Sequence, residues 1–472
     1  MSTTTPAPLH PPAAEAVPAP RPGTGQALAE LAAQLGPDAV RTGFSPAEVT
    51  DRSGTPAAPG VLALVRPADV AGVQAVLRWA SRYRVPVVTR GAGTGLSGGA
   101  SGVTGGVVLS TERLDAVLEV SPADEVARVE PGVLGADLDA ALRPHGLRYA
   151  PDPASWRISS IGGNVATNAG GLRCAKYGVT RESVLALDVV LADGELISTG
   201  HRSIKGVTGL DLVGLFTGSE GTLGVVVGIT VRVRPRPVDE RTLAVWFDSV
   251  DDAAAGLLAV TAGAARPAVL ELLDGQTLRD VDAHSGTALA AGGEALLLVQ
   301  TDGHGAEAEA REIAAALSAA GGRVRHLAGA EAEEHWELRR SGRGPVTDKV
   351  AVGEDVAVPK SQIGPFHREL RRIAEQHGVQ VRAVAHAGDG NFHPLLSAGA
   401  ELPDARERVE AAADDLVATA LRLGGTISGE HGIGTAKQRW IGQELPGRVR
   451  ELQRAVKAVF DPLGILNPGK AL

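Results

Sequence analysis

Arg90-Gly-Ala-Gly-Thr-Gly-Leu-Ser-Gly-Gly99 follows directly on an apolar run, Val85 to Arg90, that reads as a strand. Within it, Gly93-Thr-Gly95-Leu-Ser-Gly98 has the spacing of the dinucleotide fingerprint, and Glu112 and Asp115 lie at about the distance expected of its acidic partner. That fingerprint has to open a helix. Here the chain runs into Ala100-Ser-Gly-Val-Thr-Gly-Gly106 and then another strand, so a Rossmann site is rejected. The physics that remains is a loop whose amide N–H groups point into one concavity and can cradle a pyrophosphate, since glycine leaves the backbone free to do so.

Upstream of this loop the pattern is a β-α-β unit. Val61 to Val65 reads as a strand, Asp69 as a helix cap, and Val70, Val73, Leu77 and Ala80 recur at helical spacing. A short helix over Ala27 to Leu35 precedes it. Downstream come strands at Gly106–Leu109, Val117–Val120 and Val126–Pro131, and a helix around Gly135–Leu142. Leu185–Leu191 and Gly194–Ser198 flank an Ala192-Asp193 turn, a hairpin signal. Gly224–Arg234 is a β-branched strand that ends at Pro235-Arg236-Pro237, which marks a domain boundary. Beyond it two β-α-β patterns follow, Thr242–Phe247 to Ala268–Leu272 and Ala295–Gln300 to Arg323–Leu327. They predict an α+β domain, a sheet with helices on one face. Helices at Asp404–Leu423 and Pro446–Phe460 complete the chain. The expected division is a disordered tail over 1–24, a first domain over 25–237, a second over 238–440 and a C-terminal segment over 441–472.

Composition narrows the function classes. With 44% hydrophobic and 21% charged residues, the 472-residue chain is neither disordered nor fibrous. Aromatic residues make up 3%, so the cores must be built from Ala, Val and Leu. A net charge of -9 argues against a nucleic-acid binder. One cysteine, Cys174, excludes a disulfide framework, a thiolate zinc cluster and an iron–sulfur centre held by this chain alone. Met1 to Thr24 has neither the basic nor the apolar region of a signal peptide. Gly91 to Thr111 is uncharged and long enough to span a bilayer, but eight of its residues are glycine, so it is a loop system. A cytoplasmic location is expected, at most peripheral to the inner face of the membrane.

Two more glycine-rich segments share the style of the first. Ile161-Gly-Gly-Asn-Val-Ala-Thr-Asn-Ala-Gly-Gly171 has no charge before Arg173 and could lie close against a flat ring. Thr217-Gly-Ser-Glu-Gly-Thr-Leu-Gly224 is small, polar and directly ahead of a strand. A different chemistry is suggested by Val379-Gln-Val-Arg-Ala-Val-Ala-His386, a turn at Gly388-Asp-Gly-Asn391, and Phe392-His393. If Ala387 pairs with Phe392, His386 faces His393 with Cβ atoms about 5 Å apart. Glu430-His431, in Ile427-Ser-Gly-Glu-His-Gly-Ile-Gly434, could add a carboxylate and a base. Two His and one Glu suit a catalytic divalent metal, though ordinary hydrogen-bonded histidines explain the pair equally well.

In this order, the three glycine-rich segments resemble the flavin-binding half of the vanillyl-alcohol oxidase (PCMH-type) family. More closely, the chain is similar to a group made up of the flavin chain of glycolate oxidase (its D component), D-lactate dehydrogenase and D-2-hydroxyglutarate dehydrogenase, from about Val61 to Asn467-Pro-Gly469. The resemblance implies a PCMH-type FAD-binding domain followed by an FAD-linked oxidase cap, with the last segment returning to the first domain. It implies FAD, with Arg90, Gly91, Gly93, Thr94, Gly95, Leu96, Ser97, Gly98 and Gly99 around the pyrophosphate. Pro131, Gly132, Gly162, Gly163, Asn164, Thr167, Asn168, Gly170, Gly171, Ser219, Glu220, Thr222 and Asn467 would line the rest. The first loop has no His, so non-covalent FAD is expected, with Cys174 the one residue that leaves attachment open. The group's A/G-H-x-G-D-G-N-x-H and E-H-G segments are both present and imply a divalent metal, zinc first among the candidates, at His386, His393 and Glu430.

The same resemblance makes Arg339, in Trp336-Glu-Leu-Arg339-Arg340, the grip for the substrate carboxylate. The chain departs from the 2-hydroxyglutarate enzymes, with Arg343 where they tend to have a threonine and Gly353-Glu354-Asp355 where they have a lysine. The departure argues against 2-hydroxyglutarate. His431 is the expected general base, since imidazole titrates closest to the working pH. The expected reaction is oxidation of a D-2-hydroxy acid such as lactate or glycolate to the 2-oxo acid, with hydride going to flavin N5. Electrons would pass to an external acceptor: a quinone, a cytochrome, electron-transfer flavoprotein or an iron–sulfur subunit. The alternatives are a flavin subunit of a glycolate oxidase-like complex and a non-redox alkyl transferase of the same fold. No nucleic-acid partner is expected, and a homodimer is compatible with the sequence.

Overall fold

The computed structural model describes residues 24–341, 344 and 346–472. The tail, up to residue 23, and Arg343 lie outside the described residues. Helix α1 (Thr24–Leu35) packs beside α2 (Val70–Tyr83). In α2 the Asp69 side chain accepts from Gly72 N at 2.7 Å, and Arg84 ends the helix in the left-handed region at φ 54. Val73, Val76, Leu77 and Ala80 are buried, one face of a helix at the expected spacing. They press on a four-stranded sheet of β1 (Val40–Arg41), β2 (Ala63–Val65), β3 (Val87–Arg90) and β4 (Val107–Ser110), in the order β1-β2-β4-β3. β2 and β3 both run parallel to β4, which lies between them.

The second half of this domain is an antiparallel sheet of β5 (Val117–Ser121), β6 (Val126–Val129), β7 (Val184–Val190), β8 (Leu196–Gly200) and β9 (Val225–Arg232), ordered β5-β6-β9-β7-β8. Helices α3 (Gly135–Leu142) and α4 (Ile161–Thr167) contribute Leu138, Leu142, Ile161 and Val165 to its core.

The cap is an eight-stranded sheet. Its strands are β10 (Glu240–Phe247), β11 (Val269–Asp274), β12 (Ala295–Asp302), β13 (Arg323–Leu327), β14 (Lys349–Gly353), β15 (Gln380–His386) and β16 (Asn391–Gly399), with Val356–Ala357 on β16. The order β13-β10-β12-β11-β15-β16-β14 makes every neighbouring pair antiparallel. The two β-α-β patterns are thus split units, each with an antiparallel strand between its parallel pair. Leu243, Val245 and Phe247 face α5 (Val250–Ala262), α7 (Ala306–Ala319), α9 (Ile363–His377) and α10 (Ala405–Arg422), the expected helix layer. Ala244 and Trp246 point the other way, toward α6 (Gly275–Ser285), α8 (Gly329–Ser341) and Leu172 of the first domain. That second face carries the site. After α11 (Gly447–Phe460) the chain returns to the first sheet, where Val87 N donates to Ile465 O and Asn467 N to Val87 O, both at 2.8 Å.

Candidate active site

A cavity of about 420 Å³ lies between the first glycine loop, the turn at Pro131, α4 and the Ser219–Gly221 turn, with Glu430 and His431 of the cap on its wall. Its size suits a small-molecule site. From the first loop Gly91, Gly93 to Ser97 and Gly99 line it, then Pro131, Gly162 to Asn164, Thr167, Ser219 and Glu220. The glycines are there for want of room: a Cβ on Gly91 would meet Ser160 Oγ, and one on Gly162 would meet Pro131. Ser160 joins two walls, accepting from Gly163 N at 3.2 Å and from Ala92 N at 3.3 Å.

The other expected lining residues stand one layer back. Arg90 donates to the carbonyls of Ala47, Thr50 and Gly91, and props the loop from outside. Gly98 backs onto Thr435, Gly132 onto the carbonyls of Thr111 and Leu114, Gly170 onto Glu430 and Gly171 onto Asp152. Asn168 ends α4 at φ 51, and its side chain accepts from Arg181 N. Thr222 donates to Ser219 O at 2.7 Å. Buried Asn467 donates to Gly99 O at 3.1 Å and Glu220 O at 2.6 Å, which ties two walls together. Glu220 accepts from Ile433 N and Gly434 N at 2.7 and 2.8 Å, linking the domains. Burial pushes its carboxyl above the ordinary range despite those bonds.

The two cap histidines are not directly opposed. The register sets Val384 against His393, Ala385 against Phe392 and His386 against Asn391, a shift of two residues from the expected pairing. A shift of two keeps both side chains on one face, as diagonal neighbours. Their ring centroids are 5.0 Å apart. Glu430 Oε1 reaches both, 3.4 Å from His386 Nε2 and 3.1 Å from His393 Nε2. The three ligand atoms lie within 4.8 Å of one another. Burial works against the charge on Glu430, but the hydrogen bonds from His386 and His393 hold its carboxyl well below the usual range. His431 stacks on His393 at 5.1 Å, and its Nε2 is 3.9 Å from Glu430 Oε1.

Two acidic residues behind these histidines are missing from the sequence-based set of site residues. His386 Nδ1 is 2.7 Å from Glu271 Oε1, on a fully buried residue. Burial alone would lower the His386 pKa, but Glu271 raises it well above the ordinary value. Asp355, also fully buried, accepts from Glu430 N and His431 N. A charge inside the apolar strand Val269-Leu-Glu271-Leu-Leu is the available signal for Glu271.

Arg339 does not have the expected place. It is 4% exposed and its guanidinium contacts Glu271, so it supports His386 from behind. A carboxylate already occupies it. Arg340, its neighbour, is half-buried and has no ion-pair partner within contact distance among the described residues. Burial lowers its pKa, while Asp152, which also interacts with His386, raises it.

A glycine-lined cavity thus faces a His/Glu cluster across two domains, and each domain matches a known family. Residues 61–200 match the FAD binding domain model, and residues 236–471 the model of FAD linked oxidases, C-terminal domain. The chain belongs to the FAD-linked oxidase family and binds FAD. It is 38% identical over 414 residues to glycolate oxidase subunit GlcD of Bacillus subtilis, covering 86% of this chain and 88% of that one. D-lactate dehydrogenase of Archaeoglobus fulgidus is 37% identical, with 87% and 91% covered. D-2-hydroxyglutarate dehydrogenase of Xanthomonas citri pv. viticola is 35% identical, with 87% and 89% covered. Among solved structures, p-cresol methylhydroxylase shares the fold at TM-score 0.76 and 17% identity, over 95% of this chain and 96% of that one. Among the described residues, no helix is long and apolar enough to cross a membrane.

Proposed function

We propose that the protein oxidises a small D-2-hydroxy acid of the lactate and glycolate class, at a divalent metal centre formed by His386, His393 and Glu430. The observation that supports this most is that Glu430 and His431 line the glycine-walled cavity while both histidines touch Glu430 from the cap sheet. The names of the similar enzymes supply the substrate class. Bound FAD would take the hydride from C2. Two imidazoles and a carboxylate fit zinc, and also manganese or cobalt, and such an ion lowers the pKa of a bound hydroxyl. His431 takes the hydroxyl proton, its position fixed by its own N–H on Asp355 Oδ2 at 2.9 Å. Arg340 is the candidate for the substrate carboxylate: it interacts with Asp152, next to the Pro153–Ser155 stretch of the cavity wall, whereas the guanidinium of Arg339 contacts Glu271.

FAD is bound non-covalently in this reading. Cys174 is absent from the cavity wall, and burial pushes its thiol pKa up, which disfavours the thiolate needed for attachment. With one cysteine in the chain, reoxidation falls to an external acceptor, a quinone, cytochrome, electron-transfer flavoprotein or partner iron–sulfur subunit. The test is metal analysis of protein purified without chelator, together with removal and return of the ion. One ion per chain, and dehydrogenase activity that follows it, is the expected result. Full activity in a metal-free protein would refute the reading.

A further inference from the structure

Asp355 lies between β14 and the short strand Val356–Ala357, and it is 0% exposed. Its two oxygens have different surroundings. Oδ2 accepts from Ser428 Oγ at 2.9 Å, Glu430 N at 3.0 Å and His431 N at 2.9 Å. Lys437 Nζ stands 3.5 Å from the same oxygen. Oδ1 has no hydrogen-bond partner among the described residues, and neither has His393 Nδ1, which is 3.9 Å away. A buried carboxylate oxygen without a donor, facing a buried imidazole nitrogen without an acceptor, is an arrangement folded proteins rarely leave open. A small side-chain movement closes it into a charge-assisted hydrogen bond. The other histidine already has that bond, from Nδ1 to Glu271 at 2.7 Å.

We propose that Asp355 is the positioning residue of this centre, through Oδ1 for the His393 ring and through Oδ2 for the backbone that carries Glu430 and His431. It fixes His393 as the Nδ1–H tautomer, so that Nε2, 3.1 Å from Glu430, is the nitrogen presented to a metal. Glu271 and Asp355 are then a matched pair, one behind each histidine. Asp355, His393 and His431 also come close enough to hold an ion themselves. There too Oδ1 would be the ligand atom, since Oδ2 is engaged by three donors, and the number of ions per chain separates an ion at Oδ1 from a hydrogen bond there. The inference rests on the metal reading above.

The test uses the full chain with FAD bound and zinc added. Zinc affinity, measured by competition with a chelator, is compared between wild type and Asp355→Asn. Histidine ¹⁵N NMR of the zinc-loaded wild type reports the tautomer. The inference expects one ion per chain, a hydrogen-bonded Nδ1–H on His393, and affinity about 10- to 100-fold lower in Asp355→Asn with FAD content unchanged. Equal affinity in the two proteins, a His393 that binds zinc through Nδ1, or two ions per chain would each overturn it. If Asp355→Asn does not fold, the wild-type tautomer decides. A wild type that takes up no zinc fails the metal reading itself, a result distinct from normal affinity in the variant.

Discussion

At the scale of single residues, the site is a set of charges whose partners decide their roles. His431 meets the cavity and is anchored by its backbone, so His431→Asn should keep its fold, FAD and metal. Losing a general base costs about 10²–10⁴ in rate. Single-turnover flavin reduction at saturating substrate should slow by that factor, and an unchanged rate would remove His431 from the chemistry. The two adjacent arginines should separate in the same way. Arg340→Met is expected to raise KM for the hydroxy acid with Tm unchanged. Arg339→Met would leave the fully buried Glu271 carboxylate with His386 as its remaining partner, so it should lower Tm, at a cost of up to about 3–5 kcal/mol. If Arg340→Met leaves KM as it was, the carboxylate is bound elsewhere. His386, His393, Glu430 and His431 could be singled out in the sequence, by a hairpin spacing and by the two segments that carry the resemblance, and the fold brings all four together. The role of Arg339 was not legible there, because its partner Glu271 comes from a strand distant in the chain.

At the scale of elements, regular patterns were readable and small-residue segments were not. The α2 helix and the β7–β8 hairpin follow from periodicity, a cap and a turn. The segment Ile161–Thr167 is helical although two of its seven residues are glycine, because Ser160 caps it and Pro131 packs against it. The cap is adjacent in sequence, but the Pro131 contact is not. The β15–β16 register differs from the expected one because the four-residue turn is Ala387–Gly390, one residue earlier than expected, closed by Asp389 N and Gly390 N on His386 O with Gly390 at φ 91. The close seat of α4 has a consequence. A Cβ at Gly162 would lie 2.8 Å from Pro131 O and 2.9 Å from its Cα, both backbone atoms that cannot swing aside. Gly162→Ala should therefore cost about 1–3 kcal/mol and push α4 away from the Pro131 wall of the cavity. The expected outcome is a lower ratio of bound FAD to protein after gel filtration. Wild-type FAD content and Tm together would contradict the role assigned to α4.

At the scale of the whole molecule, the site exists because two domains are locked face to face. Asp302 on β12 accepts from Arg148, Lys176 and Tyr177 of the first domain at 2.8, 2.7 and 2.7 Å. Burial would raise its carboxyl, but those bonds together hold it below the ordinary value. A depressed folded pKa gives stability that is present above the unfolded value of about 4 and is lost as pH falls below it. Asp302→Asn should thus lower Tm clearly at pH 7, and the gap to wild type should narrow in acid. An equal Tm at pH 7 would show that the interface does not depend on this cluster. The sequence pattern suggested a domain boundary at Pro235-Arg236-Pro237, but no local pattern announces contacts between residues 148, 176 and 302. The central claim, that these domains bring a hydroxy acid to FAD beside a metal-binding cluster, meets its most direct test in one experiment. The FAD-loaded protein is mixed without oxygen with D-lactate, L-lactate, glycolate or D-2-hydroxyglutarate, and flavin absorbance is followed. The account expects bleaching by D-lactate or glycolate, with one 2-oxo acid formed per flavin, and little or none with L-lactate or D-2-hydroxyglutarate. A flavin that stays oxidised with every hydroxy acid, in protein shown to carry its metal, would contradict it.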